Sequence, residues 1–550
     1  MRHGGKILID QLEAQGARAV FTVPGESFLA ALDGLHDSNR IRTVICRQEG
    51  GASMMADAWG KLTGEPGICM VTRGPGAANA MAGLHIAQQD STPTITFIGM
   101  PPSEHEDREA FQEIELKQLF SSYVKWAAVI NDAARIPEYV SRAFHVSCSG
   151  RPGPVVLGLP EDMLEQTPDI ADAKAANIAE PIASPQAVAA LEGLLTKAKK
   201  PLMIVGGPGW SGEIKARAEA FASRWELPIA AAFRYQDYID NRHPCYAGHV
   251  GIGIDGKLKS AVTDADLLIV VGARLGEITT SGYTLLAIPN PKQTLVHVHP
   301  GADEIGSVYR ADLAVNASAR SFIAALEGIK PKGPVAWVGR ARELHTAYLD
   351  TLKPLPTPGA VSFPEVLRTL SEMLPDDAII SNGAGNYAAF LHRYFQYKTW
   401  RTQLAPTSGS MGYGLPAAIA GKLVHPERMV VNFAGDGCFL MTGQELATAA
   451  QYGLNIITII ANNGMYGTIR MHQEREFPSR VVGTTLMNPD FAAYARSFGA
   501  HGETVTSNEQ FKGAFERAAA SGKPAIIELK IDPEALSPRQ TLTQIRNSKS

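Results

Sequence analysis

Residues 429–467 read MVVNFAGDGCFLMTGQELATAAQYGLNIITIIANNGMYG. The stretch predicts a buried strand over Met429–Ala434 ending in Gly435-Asp436-Gly437, a helix over about Thr442–Tyr452, and a second buried strand over Asn455–Ala461 ending in Asn462-Asn463-Gly464. In a parallel β-α-β unit both strand ends emerge on one edge of the sheet, where ligands of such sheets bind. Asp436 and Asn463, distant in sequence, are therefore expected side by side. One carboxylate and one amide oxygen beside tight glycine turns suit a hard divalent cation that also holds phosphate oxygens.

The same rhythm runs through the whole chain, and 550 residues exceed what a single hydrophobic core can organise. The first block carries the strand-like runs AVFTVP, TVICRQ, GICMVT, TITFIG and PVVLGLP, and closes near Asp162. The polar, alanine-rich stretch Glu165–Ser184 reads as a linker. A second block carries PLMIVGG, LPIAAAF, ADLLIVVG, QTLVHVH and ADLAVNA. After a helical segment and the proline-rich KPLPTPG, the third carries DAIISNG, MVVNFAG, NIITIIA and PAIIELK. The expectation is an α/β chain of three doubly wound parallel-sheet domains, at residues 1–165, 185–330 and 355–535.

With 45% hydrophobic and 19% charged residues and a net charge of −4, the composition is that of a globular protein without a basic footprint. Nucleic acid is not an expected partner. No apolar run reaches the ~18 residues needed to span a bilayer, so no membrane association is expected. The opening MRHGGKILIDQLEAQGARAVF reads as an amphipathic helix leading into a strand rather than as a signal peptide. Five scattered cysteines form no CxxC pair and no disulfide framework, which fits a reducing cytoplasm.

A second constellation lies in the first block, RQEGGASMMADAWGKLTG from Arg47 and then TRGPGAANA from Thr72. Glu49 falls between a strand and a helix, where a carboxylate ordinarily caps the helix or favours its positive end. Gly74-Pro75-Gly76 can serve as a turn opening the helix over Ala77–Gln88.

Together these pieces resemble the thiamine diphosphate (ThDP) enzymes. The Gly-Asp-Gly of 435–437 followed by Asn462-Asn463 resembles their cofactor-binding motif. Gln48-Glu49, Thr72–Gly76 and Asn79 resemble their pyrimidine-binding domain, most closely in the acetolactate synthase branch with its pyruvate oxidase relatives. Residues 107–113, DREAFQE, look like that branch's active-site loop, and 409–418, GSMGYGLPAA, like its cofactor-wedge segment. The resemblance covers essentially the whole chain and is weakest in the middle block.

The resemblance implies roles residue by residue. Asp436, the Asn463 side chain and the Met465 backbone carbonyl would hold Mg²⁺. Gly25, Glu49, Gly74, Pro75, Asn79, Gly385, Asn386, Gly409, Met411, Gly435, Gly437, Cys438, Tyr466 and Gly467 would surround the cofactor. Glu49 would hydrogen-bond the pyrimidine ring and start the proton relay that activates the thiazolium carbon, a task suited to one carboxylate in a low-dielectric pocket. Met411 would be the apolar wedge that folds the two cofactor rings over each other. Gly409 would leave a bare backbone carbonyl for the pyrimidine amine, and the Asn382–Asn386 loop would offer N–H groups to the diphosphate. Gln112 is the candidate polar contact to the reacting group, with Glu26, Phe111 and Tyr387 around the substrate. Arg73 and His85 are read as surface or helix-packing residues.

The implied reaction decarboxylates a 2-keto acid and transfers the remaining unit to a second carbonyl. Departures from the synthases leave the substrate open. They have Gln-His-Gln where this chain has Asn386-Tyr387-Ala388, a second glycine where Glu26 stands, and a Gln-Gly-Met run where Tyr466-Gly467-Thr468 stands. Another ThDP lyase or decarboxylase, acting on 2-hydroxyacyl or oxalyl thioesters or on another keto acid, therefore stays open, as does a non-catalytic homologue. No adjacent His-His pair of the pyruvate decarboxylase kind is present.

In the middle block, Gly206–Gly209 and Arg274 fit a flavin-binding pattern. His297-Val298-His299 stands where a nucleotide-binding strand ends in an acid, and His249–Gly253 lacks the expected Gly-Met-His-Gly run. The expectation is a scaffold domain without FAD. Because the family's glutamate reaches cofactor held by a partner subunit, a homodimer is the expected minimum and a homotetramer is compatible.

Overall fold

The computed structural model describes residues 1–549 and contains three parallel sheets of six strands each. The first holds β1 (Ala19–Thr22), β2 (Arg42–Ile45), β3 (Gly67–Thr72), β4 (Thr94–Met100), β5 (Trp126–Val129) and β6 (Pro154–Pro160) in the order 2-1-3-4-6-5. The second holds β7 (Pro201–Val205), β8 (Ile229–Ala231), β9 (Tyr246–His249), β10 (Leu267–Val271), β11 (Thr294–His299) and β12 (Leu313–Asn316) in the order 12-11-10-7-8-9. The third holds β13 (Ile379–Asn382), β14 (Gln403–Leu404), β15 (Val430–Gly435), β16 (Ile457–Asn462), β17 (His501–Val505) and β18 (Ala525–Lys530) in the order 14-13-15-16-18-17. The outer sheets thus share one strand order, and the middle sheet has the 3-2-1-4-5-6 order of a dinucleotide-type fold.

Helices that matter below are α1 (Glu49–Thr63), α2 (Arg73–Asp90), α3 (Asn386–Tyr394), α4 (Gly414–Val424), α5 (Gly467–Glu476) and α6 (Leu542–Arg546). Four strands escape the sequence reading: β5, β9, β14 and β17. All four are edge strands of two to five residues, so none shows a long apolar run. The predicted helix over Thr442–Tyr452 is a single 3₁₀ turn, Gly443–Glu445, running into the short helix Leu446–Gln451, and a further four-residue helix follows Gly435 directly. The Gly74-Pro75-Gly76 turn lies inside α2, which already begins at Arg73.

Alternation along β15 explains why the third sheet is closed on both faces. Val431 and Phe433 pack with Tyr387, Phe390, Ile457 and Ile459 on one side. Val430 and Ala434 pack with Leu415, Ile419 and Ile460 on the other. At about 1.5–3 kcal/mol for each large apolar side chain buried, these two faces fix the register that aims Gly435 and Asp436 at the sheet edge. The second face also contains Met54, Met55 and Ala58 of α1, which face Ala417, Ala418 and Ala420 of α4. Small residues let these helices approach closely, so the first and third domains of one chain share a continuous core. The predicted linker has neither helix nor strand over 166–184. It runs along the N-terminal helix Gly4–Ala14, held by Gln11 Nε2 to the Ala173 carbonyl at 3.1 Å and Arg2 to Asp172 at 2.9 Å.

Candidate functional site

In a sheet of order 2-1-3-4-6-5 the strand direction of travel reverses between the first and third strands, and the crevice opens there. In the third sheet this is the gap between β13 and β15, where the 383–385 and 435–437 loops meet. A cavity of about 260 Å³ lies over it, lined among others by Gly385, Gly409, Met411, Asp436, Asn463 and Leu536. Gly409 sits at φ +69° with nothing within 4 Å of where a Cβ would be, so a bare backbone turns toward the cavity. Gly437 must also be bare, because a Cβ there would lie 2.5 Å from the Tyr466 ring.

The strand register Gly435↔Ala461 brings the two strand ends level, and Asp436 and Asn463 just beyond them line one cavity. Asp436 is 2% exposed. Its Oδ1 accepts the Gly437 N–H at 2.8 Å, and its Oδ2 accepts the Gly464 N–H at 2.9 Å and Asn488 Nδ2 at 2.7 Å. Among the described residues no cationic side chain pairs with it, and burial pushes its carboxyl above the ordinary range. The Asn463 carboxamide oxygen accepts the Met465 N–H at 3.3 Å, and both residues line the cavity. A buried carboxylate without a countercharge, next to amide and carbonyl oxygens, is a donor set for a hard cation. Asn488 was not read from the sequence. It lies 25 residues beyond the Asn-Asn pair, and no local pattern marks it.

Two residues at the third sheet's glycine loop differ from expectation in what their side chains do. The Tyr387 hydroxyl accepts the Gly383 N–H at 3.0 Å and lies 3.2 Å from Cys438 Sγ, so it is a buried wall of the cavity with its polar end already engaged. Asn386 donates to the Leu536 carbonyl at 2.9 Å and accepts from Thr468 Oγ1 at 2.9 Å. Its amide is used to tie α3 to α5 and to the C-terminal segment rather than being left for phosphate. Leu536, 1% exposed, packs with Leu542, Ile545, Met465 and Met471 and closes that side. Cys438 Sγ accepts the Gly412 N–H at 3.3 Å, which holds the Met411 segment against the Gly-Asp-Gly turn. Met411 is half-buried against the same core.

No residue of the first domain lines this cavity. Glu49 is the first residue of α1, after a Gln48 side chain that accepts the Gly51 N–H at 3.0 Å. Its Oε2 accepts Asn79 Nδ2 at 2.9 Å. Glu445, fully buried in the third domain, reaches across to this segment. It accepts the N–H groups of Arg47 and Gln48, both at 3.0 Å, and Thr448 Oγ1 at 2.6 Å. A Cβ on Gly51 would stand 2.6 Å from its Oε1. Sequence reading missed Glu445 because a glutamate in a helical GQELATAA run looks like a solvated face.

At the equivalent gap of the first sheet, between β1 and β3, Gly25 faces Thr72, where a Cβ would lie 2.3 Å from Thr72 Cβ. Glu26, Arg73, Gly74, Phe111 and Gln112 gather here. Arg73 pairs with Glu161 at 3.1 Å and Glu26 at 3.7 Å and donates to the Phe111 carbonyl at 3.4 Å. The Gly74 N–H donates to the Gln112 carbonyl at 2.9 Å, and Pro75 follows inside the first turn of α2. Arg73, Asp107, Glu109 and Gln112 all have positive φ, a cluster of strained backbone of the kind found at ligand-binding sites. Phe111 is 72% exposed. Arg73 is thus an internal ion-pair residue, and His85 makes an edge contact with Tyr123.

In the middle domain the crevice groups satisfy one another. The Gly206 and Gly207 carbonyls accept Trp210 Nε1 at 3.0 Å and the Tyr238 hydroxyl at 2.7 Å. Arg274 pairs with Glu304 at 3.0 Å. His299, at the end of β11, is kept neutral by burial, which lowers its imidazole to about 4. These contacts engage the Gly206 and Gly207 carbonyls and the Arg274 guanidinium within the protein.

Comparison with known proteins returns three domain families in chain order. Residues 2–119 match the thiamine pyrophosphate enzyme N-terminal TPP binding domain, 188–326 the central domain, and 383–529 the C-terminal TPP binding domain. The chain is 31% identical over 545 residues to the acetolactate synthase large subunit of Parasynechococcus marenigrum (strain WH8102), covering 96% of this chain and 87% of that one. It is 29% identical to the acetolactate synthase isozyme 2 large subunit of Escherichia coli (strain K12), covering 96% of both chains. It is 30% identical to the probable acetolactate synthase large subunit of Methanocaldococcus jannaschii, covering 97% of this chain and 93% of that one.

Proposed function

Because the chain belongs to the acetolactate synthase-like branch of the thiamine diphosphate enzymes, we propose that it is a Mg²⁺-dependent carboligase. In this reading it decarboxylates a 2-keto acid, pyruvate first among them, and transfers the remaining unit to a second carbonyl. The observation that carries the reading is the buried Asp436 carboxylate. It faces a cavity beside Asn463 and Met465 and lacks any cationic partner among the described residues.

When bound, the cofactor supplies a carbon nucleophile and an electron sink next to the scissile carbonyl carbon. The protein's residues do the rest. Asp436, the Asn463 side chain and the Met465 carbonyl would hold the metal, with Gly385, Gly435, Gly437, Cys438, Tyr466 and Gly467 forming the cradle around the diphosphate. Gly409 would offer its carbonyl and Met411 its apolar side chain to the cofactor rings. Glu49, hydrogen-bonded by Asn79, would hold or yield one proton at its carboxylate oxygen, with Gly25, Gly74 and Pro75 lining the pyrimidine side. Gln112, with Phe111 and Glu26 nearby, would contact the reacting group.

The two halves of this constellation belong to one chain but not to one cavity, which supports a homodimer in which Glu49 completes the cavity of a second copy. Exposed Phe111 (72%) on the first domain and Phe477 (64%), Val482 (76%) and Met487 (101%) on the third supply apolar surface for such a contact. A homotetramer is consistent with the same surfaces. We take the domains as 1–165, 185–330 and 355–535, and the middle one as scaffold without FAD, since the strand ending in His297-Val298-His299 offers no acid for a ribose. The five cysteines, all free, support a cytoplasmic location.

A second reading, another ThDP lyase or decarboxylase with a different carbonyl donor, is favoured at one point. Asn386 and Tyr387 replace residues of the synthases, and both spend their polar groups inside the protein. Turnover of pyruvate by the protein with ThDP and Mg²⁺, with and without FAD, separates the two. Acetolactate formation independent of FAD is expected. If pyruvate is untouched while bound cofactor still exchanges its C2 hydrogen, the second reading stands instead.

A further inference from the structure

A second cavity, of about 210 Å³, lies where the middle domain meets α3, α5 and the segment after Leu536. Arg393 of α3, Arg475 of α5 and Arg539 of the C-terminal segment all line it. Among the described residues no guanidinium of the three makes an ion pair or hydrogen bond. Arg393 lies over the Tyr394 ring at 5.4 Å, and its buried Nε has no partner. The lining carboxylate, Asp255, caps the helix Gly256–Thr263 by accepting the Lys257 N–H at 2.8 Å. Three guanidinium groups against one carboxylate leave two uncompensated positive charges around an enclosed space. Arginine's planar fork is the group best shaped for phosphate oxygens.

His249 adds a second kind of contact. Burial lowers its imidazole to about 4, so it is neutral, and its backbone hydrogen bond is to Ile252. Its Nε2 is buried without a hydrogen-bond partner, and the residue lines the cavity. A buried ring nitrogen without a partner costs free energy unless a ligand group meets it, and a neutral ring nitrogen suits a hydroxyl.

We propose that this cavity binds a phosphorylated, hydroxyl-bearing small molecule of the sugar-phosphate class, the phosphoryl group held by Arg393, Arg475 and Arg539 and a hydroxyl by His249. Occupancy would also act on the neighbouring cofactor cavity. Arg539 follows Leu536, whose side chain closes that cavity and whose carbonyl is held by Asn386. His392, which also lines the second cavity, lies 3.2 Å from Asn382 Oδ1 at the end of β13. A bound phosphoryl group bridging α3 and the C-terminal segment holds the cover down. The binding is independent of the reaction proposed above.

The test is isothermal titration of the protein saturated with ThDP and Mg²⁺, using ribose 5-phosphate, inorganic phosphate and ribose as probes. Ribose 5-phosphate is expected to bind saturably and more tightly than phosphate, ribose alone not at all, and the sugar phosphate to slow ThDP loss severalfold. In the double variant Arg475→Ala/Arg539→Ala its affinity falls by about tenfold or more, with cofactor binding unchanged. His249→Leu weakens ribose 5-phosphate but not phosphate. Should the double variant fail to fold, Arg539→Ala alone, on an exposed loop residue, carries the same comparison. Absence of saturable binding by either phosphate probe, or equal affinity in the wild type and the arginine variants, overturns the proposal.

Discussion

Asp436 and Glu49 do different work, and single substitutions separate them. Asp436→Ala removes the one carboxylate facing the third domain's cavity, while its N–H donors, Gly437 and Gly464, and Asn488 lose their acceptor. ThDP retention on gel filtration is expected to lose its dependence on Mg²⁺, and retention unchanged from wild type would move the metal elsewhere. Glu49→Gln keeps size and the contact with Asn79 Nδ2, since an amide oxygen also accepts. This variant should bind ThDP normally and lose most of its activity, about 10²-fold or more for the loss of a positioned proton-transfer group. Near-normal turnover would remove Glu49 from the proton relay. The residues most legible in sequence were those whose geometry follows from strand ends, Asp436 and Asn463. Glu445 and Asn488 act through contacts of long sequence separation, 397 residues from Glu445 to Gln48 and 52 from Asn488 to Asp436, which no local spacing encodes.

At the level of elements, the C-terminal segment is the part whose stability depends on one ion-pair cluster. The buried Glu474 carboxylate accepts Arg546 Nε and Nη2, both at 2.8 Å, Arg470 Nε at 3.0 Å and the Ser479 N–H at 2.9 Å. The Arg546 hydrogen bonds are the chief cause that brings its carboxyl from the usual 4.5 down to about 2. A carboxyl lowered in the folded state contributes stability that is complete above its unfolded value and lost as pH falls through the folded one. The pinning of α6 on α5 is therefore complete above about 4.5 and fades toward about 2. Protection of the amides over residues 536–546, taken relative to the intrinsic exchange rate at each pH, should fall in that window, and Arg546→Ala should have lost it already at neutral pH. A variant whose exchange matches wild type at neutral pH would show that the apolar contacts of Leu536, Leu542 and Ile545 hold the segment alone. Strands with long β-branched runs, such as β10 and β16, were plain in the sequence. Short edge strands such as β14 and β17 were not, because their residues pair on one side and carry polar side chains on the other. The 442–452 helix was legible from its apolar spacing, which does not distinguish its first, 3₁₀ turn at Gly443–Glu445 from the α-helix that follows.

For the whole molecule, the proposed sharing of one site between two copies makes a quantitative prediction. Glu49→Gln and Asp436→Ala are each inactive, yet a mixed dimer contains one site built from the intact Glu49 of one chain and the intact Asp436 of the other. Co-refolding or co-expression in equal amounts should restore roughly a quarter of wild-type activity, since half the dimers are mixed and each has one of two sites intact. No recovery in a mixture shown to contain mixed dimers would place both groups in one chain's site. The alternation of strands and helices in the outer domains was visible in the sequence, but their common strand order was not. The α1–α4 contact that joins the two domains within a chain was not, because alanine-rich helices look the same whether they meet each other or a sheet.

The distance between Glu49 and the cavity has a consequence for how the protein is made. In the proposed dimer, a chain newly released from the ribosome would fold its shared core, with Glu445 already holding the backbone before Glu49, and still be chemically silent. Its cradle would have no proton carrier and its proton carrier no cradle. Reactivity toward carbonyl compounds would then be withheld from every lone polypeptide and switched on by the encounter that hides exposed Phe111 and Phe477.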